Sequence, residues 1–189
     1  MKLKTIFYGT LLSFSTAAVK AQTEIPAGYT TGSITLANGT VVAGFIKDNI
    51  KKSASVSFTD NAGANKKTYE GSEINGIAIN TENFICVKGD FFKTICTGKL
   101  CFLQKASNAA NKASYNGTEP VFNSGTEGKI GDYFIYSGNT LKLINKKTVD
   151  AFIRSDLSSC TAAVEKAIAI NGNIAKLQEA VEIYNSTNK

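Results

Sequence analysis

Gly32-Ser33-Ile34-Thr35-Leu36-Ala37-Asn38-Gly39-Thr40-Val41-Val42-Ala43-Gly44-Phe45 is the stretch on which the fold turns. Asn38-Gly39 is a strong hairpin signal, because both residues tolerate the positive φ that a type I′ turn demands. A two-residue turn there sets Leu36 against Val41, Ile34 against Ala43 and Gly32 against Phe45. One face then carries Ile34, Leu36, Val41, Ala43 and Phe45. The other carries Ser33, Thr35, Ala37, Thr40 and Val42, which are small or polar for the most part. The pattern predicts an antiparallel ribbon with one apolar face, and a one-residue slip would exchange the faces.

Outward from the hairpin the same alternation recurs. Ser55 to Thr59, Lys67 to Glu70 and Ile74 to Ile79 read as short strands separated by polar turns. Phe84 to Lys88, Phe91 to Thr97 and Leu100 to Lys105 read as a meander, with type II′ turns expected at Gly89-Asp90 and Gly98-Lys99. One face of this meander collects Ile85, Val87, Phe92, Cys96, Cys101 and Leu103. The other collects Phe84, Cys86, Phe91, Ile95 and Phe102. A sheet apolar on both faces needs cover on both. The opening hairpin is expected over one face and the C-terminal helices over the other.

Ala106 to Gly131 is weakly patterned, rich in Asn, Ser, Gly, Ala and Lys, and contains Pro120 and a possible edge strand at Val121-Phe122. A segment of this length is either functional or mobile. Asp132 to Tyr136 and Leu141 to Ile144 form a last hairpin across Gly138-Asn139. Beyond it the period changes to 3.6. Val149, Phe152 and Ile153 share a stripe, as do Val164, Ala167 and Ile168 on a helix capped by Ser158 or Ser159. A third stripe holds Ile174, Leu177, Val181 and Tyr184. Asn171-Gly172 separates the last two helices. The fold class is therefore α+β: an antiparallel β-meander forming a barrel or sandwich, followed by two or three C-terminal helices.

The chain start has the form of an export signal. Met1-Lys2-Leu3-Lys4 is basic, Thr5 to Val19 is mainly apolar, and Val19-Lys20-Ala21 precedes a cut expected between Ala21 and Gln22. The domain reading is residues 1–21 signal peptide, 22–144 β-rich part, and 145–189 helical part packed on the same domain. This implies an exported protein, periplasmic or extracellular, that does not span the membrane once the signal is removed.

The net charge of the 189 residues is +6, from 21 basic and 15 acidic side chains. Lys2, Lys4 and Lys20 belong to the signal. Setting them aside leaves 18 basic residues against 15 acidic, or +3, with Arg154 the single arginine. That balance argues against nucleic acid as a partner. The chain has no histidine, so Ser-His-Asp and Cys-His catalysis and histidine-ligated metals are excluded. It contains neither a nucleophile elbow nor a P-loop. Asp90 and Asp132 fall at turns, where Asp is favoured for local reasons. Asn-x-Ser/Thr triplets begin at Asn38, Asn116 and Asn185 and are expected by chance in an Asn-rich chain.

Four cysteines in an exported chain suggest disulfides. With a two-residue turn at Gly98-Lys99, Cys96 and Cys101 are directly opposed, and a disulfide between them is expected. Cys86 falls on the other face. Cys86 and Cys160 either pair, if a helix docks over Cys86, or remain buried thiols. No metal site or cofactor is expected.

The order of features is a leader, then Gly32 to Thr40 with Gly44-Phe45-Ile46, then Tyr69 to Gly76, Tyr133 to Lys147, and a helical end with Cys160 and Val181-Glu182-Ile183-Tyr184-Asn185. In this order the chain resembles a group of uncharacterised exported β-rich proteins of Gram-negative bacteria. The resemblance covers most of the chain after residue 21 and implies no known activity. The expected function is a non-enzymatic envelope or secreted module, structural or binding another protein. The alternative is a small-ligand or glycan binder, suggested by Tyr115, Phe122, Tyr133 and Tyr136 near loops. An enzyme is the third and least supported reading.

Overall fold

The structure, a computed structural model, describes residues 24–60, 63, 65–111, 113–116, 119–122 and 125–188, with backbone alone at 111, 113–116 and 119–122. The expected signal peptide of residues 1–21 and its expected cut lie outside the described residues, as do the side chains of Tyr115, Asn116 and Phe122. Among the described residues twelve strands and four α-helices follow one another. β1 is Thr30–Leu36, β2 Val41–Asn49, α1 Ile50–Ser53, β3 Ser55–Thr59, β4 Lys66–Glu70 and β5 Ile74–Ile79. β6 is Glu82–Val87, β7 Asp90–Cys96 and β8 Cys101–Lys105. β9 (Ala113–Asn116) and β10 (Glu119–Phe122) form a separate two-stranded ribbon. β11 is Tyr133–Ser137, β12 Thr140–Ile144, α2 Val149–Ser155, α3 Thr161–Ala169 and α4 Leu177–Thr187.

The fold is α+β, as the periodicity predicts. Ten strands make one antiparallel sheet in the order β12-β11-β8-β7-β6-β5-β1-β2-β3-β4. The expected closure into a barrel or sandwich does not occur, for β12 and β4 are free edges. The N-terminal half is nevertheless rolled. β4 and β5 stand four places apart in the sheet, yet only Gly71-Ser72-Glu73 joins them. Glu70 and Ile74 are therefore at most about 14 Å apart. A flat sheet would separate those strands by about 19 Å. The roll wraps β1–β7 round a core of Ile34, Ile46, Val56, Phe58, Ile77, Phe84 and Phe91.

The opening hairpin differs from expectation by one residue. Its loop is Ala37-Asn38-Gly39, with Leu36 N–H donating to Thr40 O at 2.9 Å and Gly39 N–H to Leu36 O at 2.8 Å. Gly39 alone takes positive φ, +84°. Asn38 instead uses its side chain, Oδ1 accepting from the Thr40 amide at 3.0 Å. This is a three-residue hairpin ending in a left-handed glycine rather than a type I′ turn. Ile34 now pairs with Val42 and Thr35 with Val41. The slip turns Val41 to solvent, at 64 % exposure, and moves Phe45 off the Ile34 face.

The meander slips too, with a different consequence. The β6–β7 turn is Lys88-Gly89, both at positive φ, so Val87 pairs with Asp90. The shift from the expected turn is an even number of positions in register. The faces survive except at Cys96: Phe92 and Leu103 pack with Ile85, Val87 and Cys101, while Phe84, Phe91 and Cys86 face the rolled core. The last hairpin turns across Gly138 (φ 53°) and Asn139 (φ 63°) as read from sequence.

The covers differ from those expected. α2, α3 and α4 bury Val149, Phe152, Ile153, Leu157, Ala163, Leu177, Ala180, Val181 and Tyr184 against Phe102, Ile135 and Ile144. Their cover of the Phe102 face agrees with the sequence. The opening hairpin, carried round by the roll, closes on Phe84 and Phe91 and does not reach the Phe92 face. The segment around Gly128 comes against Phe134 and Leu143 instead, so close that a Cβ at Gly128 would touch both side chains. α3 is rotated from its expected stripe: Ala163 and Ala167 are buried, and Ile168 is 65 % exposed. Its N-cap is Cys160, with no capping side chain, rather than Ser158 or Ser159.

Candidate functional site

Three places in the molecule carry chemistry worth weighing. The first is buried. Asp90 opens β7 and Lys105 closes β8, and both side chains are fully buried, with Nζ 3.1 Å from Oδ2. Oδ2 also accepts from the Thr126 amide at 2.7 Å and the Thr126 hydroxyl at 2.6 Å. Oδ1 accepts from the Ala109 amide at 2.6 Å and Ser107 Oγ at 3.4 Å. Lys105 Nζ donates to the carbonyls of Thr126 (2.7 Å), Glu127 (3.1 Å) and Gly128 (3.3 Å). Ser107 Oγ in turn accepts from the Phe91 amide at 2.8 Å.

Burial pushes the Asp90 carboxyl up. The hydrogen bonds from Thr126, Ala109 and Lys105 outweigh it and hold the group below the ordinary carboxylate range. Each lone pair and each ammonium proton is already spoken for. The pair therefore pins Ala109 and residues 126–128 to the sheet and has no free valence for a substrate. Asp90 is no mere turn-former, contrary to its sequence reading. Asp132 does keep a local role, Oδ2 accepting from the Lys129 amide at 2.7 Å.

The second place is a polar cleft of about 390 Å³ lined by Val87, Lys88, Thr126, Glu127, Asn139 and Leu141. Its wall at residues 126–127 is the segment gripped by Lys105. Tyr136 O–H donates to Asn139 Oδ1 at 3.1 Å on its border. Tyr133 lies elsewhere, stacked on Phe102 with ring centres 5.2 Å apart. The suggested aromatic set is thus not gathered at one site by its described members.

The third place is a cleft of about 420 Å³ between α2 and α3, lined by Asp150, Ile153, Arg154, Ser158, Thr161, Val164 and Ile168. Ile153 is buried beneath it and Ile168 stands beside it, the most exposed large hydrophobic side chain among the described residues. The Arg154 side chain makes neither an ion pair nor a hydrogen bond among the described residues.

The cysteines do not assemble into a site. All four are free thiols. A bulge between Thr94 and Cys96 pairs Cys96 with Phe102 instead of Cys101. Cys96 therefore packs with the helices, while Cys101 packs beside Phe92 on the opposite face. The direct opposition expected of Cys96 and Cys101 is lost, because a bulge moves one strand by one residue. Cys160 is buried under the helices and Cys86 belongs to the rolled core. Burial raises Cys86 to about 12 and Cys96 to about 11.

Sequence reading missed Lys105, Ser107 and Thr126, which no motif marks, and Ile168, whose period suits either face. Compared with protein-family models, curated proteins and solved structures, the chain has no match.

Proposed function

We propose that this chain is an exported, non-enzymatic module of the envelope or the secreted space that works by contact with another protein. The observation that carries the reading is the α2–α3 face. An apolar cleft with an unpaired arginine and a solvent-exposed isoleucine is held on α2 and α3, whose inner faces pack against the sheet. Exposed apolar surface rimmed by polar groups is what contact surfaces look like. The basic leader and the likeness to exported β-rich proteins support a periplasmic or extracellular setting. A single arginine and a net charge of +3 after the leader support a partner other than nucleic acid.

A second reading is a small-ligand or glycan binder. The dimensions of the two clefts favour it, since both fall within the range of small-molecule sites.

The reading is tested by recovering the exported protein under native conditions and following its association with envelope components. Ile168→Asp should abolish the association, while Val41→Asp, on an equally exposed residue of the sheet, should not. Equal behaviour of the two variants would refute the assignment of the face.

A further inference from the structure

We infer that the α2–α3 cleft binds a single-chain anionic amphiphile, with its charged head on Arg154 and its chain running toward Ile168. The inference rests on the small-ligand reading above and gives it a chemistry. Arg154, Ser158 and Thr161 line the cleft beside the connection between the two helices, with Ser158 Oγ donating to the Ser155 carbonyl at 2.8 Å and free to accept. Ile153 and Val164 form its apolar lining. Ile168 lies seven residues beyond Thr161 on α3, about 10 Å along the helix axis. An extended chain of eight to ten carbons matches that span.

The charge arrangement selects the head group. Arg154 makes no ion pair among the described residues, not even with Asp150 one turn earlier on α2, and a guanidinium binds a carboxylate or phosphate bidentately. Asp150 is the one acid in the lining. It lies a full turn earlier on α2, in the helix's first turn, where the helix dipole favours it without a partner. Its position opposes an anion at the Asp150 end and directs the head to the Arg154 end. Ile168 supplies a reason for a chain: its exposure costs hydrophobic free energy that a bound alkyl group would recover.

Decanoate, decanol and decyltrimethylammonium, each kept below its micellar concentration, test this with the full-length secreted protein by calorimetry and by backbone amide shifts. Decanoate should bind, decanol at least ten-fold more weakly, and the cation not measurably. Arg154→Gln should reduce decanoate to the level of decanol, Ile168→Asp should abolish binding of both, and Asp150→Asn should tighten decanoate. These side chains are exposed, so the variants should fold as the parent does. Decyl phosphate in place of decanoate separates a phosphate head from a carboxylate, and binding by either supports the inference. Equal binding of decanoate and the cation, an Arg154→Gln variant with unchanged affinity, or no binding at all would overturn it. Absence of amphiphile binding beside an intact effect of Ile168→Asp on envelope association would sink this inference alone and leave the contact reading standing.

Discussion

Asn185 reads Leu100 as a strand would. Its Oδ1 accepts from the Leu100 amide at 2.9 Å, and its Nδ2 donates to the Leu100 carbonyl at 2.8 Å. The same Nδ2 reaches the Thr97 carbonyl at 3.3 Å. The last helix is thereby fastened to the β7–β8 turn by a side chain that imitates a peptide group. Gly98 sits so close that a Cβ there would collide with the Asn185 amide. Asn185→Ala leaves both polar groups of Leu100 without partners, at a cost of about 1–3 kcal/mol. Thermal melting should show that loss, and Gly98→Ala should show one of the same sign.

The helices and the sheet should melt together. A chain stopped after Asn145 exposes Phe102, Ile135 and Ile144, which the helices bury. It should aggregate or lose its cooperative transition. A monomeric product that melts as sharply as the full chain would make the helices an appendage.

Asp90 and Lys105 should be unequal to each other's loss only in detail. Removing either partner of a buried pair costs about 3–5 kcal/mol, because the other charge stays buried. Asp90→Asn and Lys105→Met should therefore both destabilise strongly, and both should increase amide exchange over residues 125–128. The sign with pH follows from the lowered Asp90 pKa. The pair's contribution is complete above the unfolded carboxylate value of about 3.9 and is lost as pH falls through the lower folded value. The stability gap between the parent and Asp90→Asn should narrow in acid below about pH 4 and stay constant from pH 5 to 8.

The thiols should differ in reactivity. Cys86, raised to about 12 by burial, and Cys96, raised to about 11, are poor nucleophiles at neutral pH. Native labelling at pH 8 should modify Cys101 first and Cys86 slowly, and unfolding should release all four. Peptide mapping without reductant should return Cys96 and Cys101 unlinked. A linked fragment would mean that the Thr94–Cys96 bulge straightens in the oxidised chain.

The alternation of apolar residues was enough to read strands β1 to β8, the last hairpin and the helical end. It was enough because the face of a strand survives any even shift in register, as at Lys88-Gly89. The odd shifts were not legible. Asn38-Gly39 is compatible with a two- and a three-residue loop, and the side-chain bond from Asn38 to the Thr40 amide selects the longer one. The bulge at Thr94–Cys96 carries no glycine or proline to mark it. The pin is a matter of tertiary position: Lys105 and Thr126 meet Asp90 only after the sheet has formed, and nothing local distinguishes them from solvated residues. The α2–α3 cleft was not legible: Arg154 stood out only as the single arginine, and the apolar side of the cleft depends on the rotation of α3, which Ala163 and Ala167 decide by allowing close approach.

The α2–α3 face is the centre of the functional account, and a photoreactive benzophenone side chain at position 168 tests it most directly. Irradiation of cells producing the protein should give a discrete protein adduct from position 168 and none from position 41, which is as exposed but lies on the sheet. The adduct should disappear when Arg154→Glu is added. Adducts of equal yield and pattern from both positions, or none from 168, would contradict the account.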